Sequence, residues 1–129
     1  MMLLVEDNPG DALLLETAIC ARGEVVPMMV ATTCQRALAA LHSARASIRM
    51  IVVDLRLPGS DGWTVLSAIA EDDALAGVPA AVLTSSTRDD DRERAHQLGV
   101  EHYYVKPVSL DGYDAIVAAL LALYRGGRA

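Results

Sequence analysis

Lysine is almost missing from this 129-residue chain: Lys106 stands alone against ten arginines. A sequence that uses Arg everywhere else and Lys once points to a compact ammonium needed at that one place. Histidine is scarce and cysteine scarcer. Cys20 and Cys34 make no metal-binding spacing and are too few for a disulfide framework, so they read as reduced thiols of a cytoplasmic protein. No apolar run reaches the roughly 18 residues that a membrane-spanning helix needs. Met1-Met2-Leu3-Leu4-Val5 lacks the basic start and cleavage site of a signal peptide. Basic residues are outnumbered 11 to 17, and the net charge of −6 argues against general attraction to nucleic acid or an anionic membrane. Charged residues make up only 22% and hydrophobic ones 53%, the balance of a chain that folds rather than one that stays disordered.

What the chain does have is a set of short, doubly apolar runs that end on polar residues. Ile48 to Val53 is nearly continuous in hydrophobicity, rich in β-branched residues, and stops on Asp54. A run apolar on both faces suits the middle strand of a parallel sheet covered by helices on each side. Met1–Val5, Val25–Ala31, Val78–Thr84 and Val100–Val105 read as four more strands, and Pro27, which cannot donate to a ladder, puts the second at an edge. Helices are expected from Pro9 to about Arg22, from Thr32 or Thr33 to about Arg45, from about Gly62 to Glu71, over Arg88–Leu98, and from Leu110 to Tyr124. The core-facing positions are Leu13, Leu14, Ala18 and Ala21 in the first, Ala37, Leu38 and Leu41 in the second, and Val65, Leu66 and Ile69 in the third. Leu55 to Gly62 is read as a loop punctuated by Pro58 and Gly59. Strict alternation without repeat or linker implies one α/β domain over residues 1–129. It is doubly wound, (βα)5, with a parallel five-stranded sheet in the flavodoxin-like order 2-1-3-4-5.

That fold brings four strand ends to one edge: Glu6-Asp7, Asp54, Thr84 and Lys106. Crowded carboxylates repel and need a cation. An oxygen-only donor set suits Mg²⁺, which binds a few carboxylates and keeps part of its water shell. A carboxylate beside Mg²⁺ can attack phosphorus to form an aspartyl phosphate. Lys106, the Thr84 hydroxyl and nearby backbone N–H groups would then meet the phosphoryl oxygens.

In sequence these features are LLVEDNP, VVDLRLPGSDG, VLTSS and YYVKP, and with them the chain resembles the receiver domains of two-component response regulators over essentially its whole length. The resemblance implies that Asp54 is the phosphoacceptor and that the donor is a sensor histidine kinase or a small phosphodonor. Asp7 would ligate Mg²⁺ directly, Glu6 directly or through water, and the backbone carbonyl of Arg56 would complete the protein ligands. Lys106 and Thr84 would serve the reaction, Tyr103 would be the switch aromatic beside Thr84, and Lys106-Pro107 would be joined by a cis peptide bond. The fourth helix, fifth strand and fifth helix would form the surface that binds targets or dimerises. The protein would be a phosphoacceptor switch rather than an enzyme. The Glu-Asp-Asn-Pro and Leu-Thr-Ser-Ser segments also resemble small receivers paired with phytochrome-type kinases. The chain stops soon after the last helix, so a receiver without an output domain is expected, with an unidentified downstream protein as its target.

Several residues carry two readings. Arg56, two beyond the acceptor, either reaches over the site or points into solvent or pairs with Glu6. Of Tyr103 and Tyr104, adjacent on a strand, one is expected inward and one outward. His42, His96 and His102 read as surface residues, Trp63 as packing at a helix start, and Asp89-Asp90-Asp91 as an acidic first turn favoured by the helix dipole. In the last helix Tyr113, Ile116, Val117, Leu120 and Tyr124 make a core stripe. Its opposite face, Ala115, Ala118, Ala119 and Ala122, is almost bare of charge, which suits either a partner surface (a second copy included) or simple helix propensity. Two other classes share parts of the pattern. A flavodoxin-like carrier would want a phosphate-binding loop where Glu6-Asp7 stand, and an aspartyl-phosphate phosphohydrolase would want an acid where Arg56 stands.

Overall fold

Strand β1 (Met2–Val5) is buried along its whole length, and so is β3 (Met50–Val53), since each has apolar residues on both faces. With β2 (Met28–Ala31), β4 (Ala80–Thr84) and β5 (His102–Val105) they form an all-parallel sheet of order β2-β1-β3-β4-β5, as expected. The structure is a computed structural model and describes residues 1–57 and 60–126. The predicted loop breakers Pro58 and Gly59, and Gly127, Arg128 and Ala129 of the tail, lie outside them.

The two-residue period of each strand divides the core in two. Leu3, Val5, Ile51 and Val53 face α2 (Cys34–Ser43), α3 (Gly62–Glu71) and α4 (Asp89–Gln97). Met2, Leu4, Met50 and Val52 face α1 (Pro9–Ala21) and α5 (Tyr113–Gly126). Each fully buried aliphatic side chain contributes about 1.5–3 kcal/mol. Among the described residues no helix is long and apolar enough to cross a membrane.

Helix ends follow local chemistry. Asn8 caps α1 by accepting from the Asp11 N–H (3.1 Å), with Pro9 at the first position. Thr33 caps α2 through the Arg36 N–H (3.1 Å). Gly23 and Gly99, both at positive φ, close α1 and α4.

The structure corrects three expectations. Of the positions expected to face the core from α1, Ala18 is buried, but Leu13 and Leu14 are 61% and 38% exposed and Ala21 is exposed; Ala12, Leu15 and Ile19 are buried instead. Apolar residues surround this helix, so spacing alone admits either phase. Strand β2 begins only at Met28, after Pro27, and Val25 is 92% exposed. The stretch after Asp54 is not simply a loop: Arg56–Leu57 pairs antiparallel with Ser60–Asp61 in a small ribbon that leads into α3.

Candidate functional site

Parallel strands end together, so the residues that follow β1, β3 and β5 share the carboxyl edge of the sheet. Backbone bonds hold them there. The Glu6 N–H donates to the Ala31 carbonyl (3.0 Å), the Asp54 N–H to the Val5 carbonyl (2.9 Å) and the Lys106 N–H to the Thr84 carbonyl (2.8 Å). The Lys106 ammonium then lies 2.6 Å from Glu6 Oε1 and 2.7 Å from Asp54 Oδ2. The isolated lysine of the sequence is thus at the centre of the cluster.

Glu6, Asp7 and Asp54 each offer a carboxylate oxygen, all within 4.8 Å of one another. The Glu6 and Asp54 side chains are 4% and 8% exposed. Asp54 Oδ1 accepts from the Arg56 N–H (3.2 Å) and Glu6 Oε2 from the Asn8 N–H (3.3 Å). One ammonium cannot balance these acids. Burial, reinforced by the Asp54 charge, pushes the Glu6 carboxyl up to about 7, although the Lys106 ammonium and the Asn8 N–H pull it down. Burial opposes charge on Lys106 too, but Asp11, Asp54 and Glu6 outweigh it and hold the ammonium above its ordinary range. The two directions agree once it is seen that one cation is divided among several acids. A hard divalent cation bound by oxygens would supply the missing charge, so the donor set fits Mg²⁺.

Asp11 was not anticipated as part of this site, yet its Oδ2 lies 2.7 Å from the Lys106 ammonium. In the sequence it is simply an acid in the first turn of a helix, where its backbone N–H does donate to Asn8 Oδ1. Its closeness to Asp7, about one helical turn away and at the sheet edge, was the available signal.

Thr84 is fully buried, and its hydroxyl accepts from the Ser86 N–H (3.4 Å). Tyr103 is buried and donates its hydroxyl to the Ser86 carbonyl (3.0 Å), which links it to the segment after Thr84. Tyr104 is not solvent-facing as expected; it is half-buried against the α1–α5 core, because both faces of β5 are covered. The Lys106-Pro107 bond is trans, which corrects the cis bond implied by the resemblance. Trans is the lower-energy isomer by about 0.5–1 kcal/mol, and the ammonium reaches all three acids from it.

The Arg56 side chain is exposed and borders an open groove of about 580 Å³ together with Asp7, Trp63, Arg88 and Asp91. Trp63 is buried at the start of α3 under the Arg94 guanidinium, 4.3 Å from its ring centre. The Asp89-Asp90-Asp91 turn opens α4 as expected, and Asp91 also accepts from the Ser86 hydroxyl (2.5 Å). His42 and His96 are exposed and His102 is half-buried.

Glu6 predicts a pH dependence. Its folded pKa, about 7, exceeds the ordinary 4.5. The folded state therefore holds its proton more tightly, and that contribution is complete below 4.5 and lost as pH rises through 7. In metal-free buffer the stability of the wild type relative to Glu6→Gln should fall across this window, and saturating Mg²⁺ should flatten the fall. Paired thermal melts check it; a difference that is flat without metal, or that rises, would refute it.

Comparison with known proteins agrees with this geometry. Residues 2–118 match the response regulator receiver domain family. The chain is 35% identical to a probable methanogenesis regulatory protein, FilR2 of Methanothrix harundinacea, over 98% of this chain and 84% of that one. It spans only about half the length of several other curated relatives. Among solved structures, the phosphorylated cyanobacterial phytochrome response regulator RcpA superposes with a TM-score of 0.84 at 31% identity, covering 96% of this chain and 92% of that one. The Mn²⁺-bound form of response regulator Rcp1 superposes with a TM-score of 0.80 at 27% identity, covering 94% and 91%. By sequence match, fold and the residues at its sheet edge, the chain belongs to the response regulator receiver domain family.

Proposed function

We propose that this receiver domain is a phosphorylation switch in which Asp54 takes a phosphoryl group from a sensor histidine kinase. A carboxylate oxygen of Asp54 forms the new P–O bond, the P–N bond of the donor phosphohistidine breaks, and the imidazole leaves with the bonding pair. The product is an acyl phosphate. Mg²⁺, held by Glu6, Asp7, Asp54 and the Arg56 backbone carbonyl, would offset the phosphoryl charge. Lys106 supplies a second cation and the Thr84 hydroxyl a hydrogen bond. Thr84 and Tyr103 carry the change to α4, β5 and α5, whose surface meets a downstream protein or a second copy of the chain. Such a switch works in the cytoplasm and turns over no substrate of its own.

The observation that carries this reading is the Lys106 ammonium 2.7 Å from Asp54 Oδ2, beside three carboxylates spaced for one cation. Likeness to phytochrome response regulators supports a phytochrome-type kinase as the donor. Incubation with acetyl phosphate and Mg²⁺, followed by intact mass, should add one phosphoryl group to the wild type and none to Asp54→Asn. Uptake by Asp54→Asn equal to wild type would refute the assignment. Steady turnover of a phosphomonoester would instead identify a phosphohydrolase.

A further inference from the structure

An ammonium has three N–H donors and no acceptor. The Lys106 ammonium donates to Asp54 Oδ2 (2.7 Å) and Asp11 Oδ2 (2.7 Å) and pairs with Glu6 Oε1 at 2.6 Å. The three acids are not equivalent. Glu6 and Asp54 lie on the buried floor and belong, with Asp7, to the group spaced for a cation, which Asp11 does not join. Asp11 stands at the mouth, with its side chain 30% exposed, and comes from the first turn of α1. Its own N–H is tied to Asn8 Oδ1, so the carboxylate projects from a fixed point.

We propose that Asp11 is a positioning residue that draws the Lys106 ammonium towards the mouth, leaving Glu6 and Asp54 to the divalent cation. The inference rests on the Mg²⁺ reading above. A divalent cation and an ammonium compete for the same oxygens of Glu6 and Asp54. An ammonium anchored to a third acid outside the metal group can yield those oxygens without leaving the site. Without Asp11 it settles on Glu6 and Asp54 alone and opposes the metal there.

The test is a double-mutant cycle read by calorimetric titration of the full chain with MgCl₂. Asp11→Asn should weaken Mg²⁺ binding roughly fivefold when Lys106 is present and less than about twofold in a Lys106→Met background. Asp11→Glu, which keeps the charge, should restore most of the loss. An equal loss in both backgrounds would show Asp11 acting on the metal itself, and no loss in either would show it idle; both overturn the proposal. Lys106→Gln provides a second neutral background should the methionine variant not fold.

Phosphoryl uptake from acetyl phosphate gives an independent reading. Asp11→Asn should raise the Mg²⁺ concentration needed for half-maximal uptake and change the rate at saturating Mg²⁺ less than about twofold, because the acid acts through competition for oxygens. A fall in the saturating rate would place Asp11 in the chemistry and overturn the positioning role. A wild type that binds no Mg²⁺ would overturn the metal reading and this proposal with it.

Discussion

Gly62→Ala is expected to destabilise the protein by about 3 kcal/mol and to abolish phosphoryl uptake, although residue 62 contributes no functional side chain. A Cβ there would lie 2.3 Å from the Asp54 carbonyl oxygen and 2.8 Å from Leu55 Cα. Both are backbone atoms of the segment that carries the acceptor, so neither can rotate away. The Gly62 N–H also donates to the Leu55 carbonyl (2.9 Å), which ties the start of α3 to the same two residues. The extra methyl group forces the start of α3 and the Asp54–Leu55 backbone apart, which strains the Gly62–Leu55 bond and the placement of Asp54, and small misplacements of reacting groups are costly. Gly77→Ala is the control, since a Cβ at Gly77 meets nothing within 4 Å. Urea unfolding and intact mass after acetyl phosphate treatment separate the two variants. If Gly62→Ala behaves like Gly77→Ala, the close approach has no consequence and the expectation fails.

Lys106→Met should be comparably damaging, by a different route. It leaves Glu6 and Asp54 buried beside each other and beside Asp11 with no cation among them. Removing one partner from a buried charge cluster costs about 3–5 kcal/mol, and partial exposure of Asp11 places this case near the lower end. Lys106 is held above its ordinary pKa of 10.5, so its contribution is fully present below that value and is lost only as pH rises beyond it. Without the ammonium that pulls it down, Glu6 takes up its proton in the variant at a pH above 7. The deficit should therefore be smaller at pH 6, where Glu6 is protonated in both proteins, than at pH 8, where the wild type keeps it ionised. Mg²⁺ should also reduce it, since acids freed of the competing ammonium bind the cation more tightly in the variant. Each tenfold in Kd then stabilises the variant by about 1.4 kcal/mol more than the wild type. Chemical unfolding at pH 8 and pH 6, with and without MgCl₂, checks all three statements. A metal-free variant as stable as the wild type at pH 8 would show that the ammonium does not balance the acids.

Much of this protein can be read from short stretches of chain. The apolar run ending at Asp54, the acids after Val5, the hydroxyl at Thr84 and the single lysine at 106 lie at the ends of segments whose period is local. Parallel pairing then brings those ends to one edge with little freedom left. Helix α3, expected from about residue 62 to 71, rests on the same kind of local signal: of its apolar set, Val65 and Leu66 are buried and Ile69 is partly buried against the same core.

Other features depend on contacts between distant segments. Leu13, Leu14 and Leu15 are equally apolar, so only docking against β1, β3 and α5 selects Leu15 for the core and leaves Leu13 and Leu14 outside. The ribbon after Asp54 exists only through the pairing of Arg56–Leu57 with Ser60–Asp61, which no periodicity announces. Asp11 looks like an ordinary acid in the first turn of a helix until a lysine 95 residues away is brought to it. Periodicity reports which face of a segment avoids water. It carries no record of which charges from separate segments will share a small volume, because that is set by the packing of whole helices against the sheet.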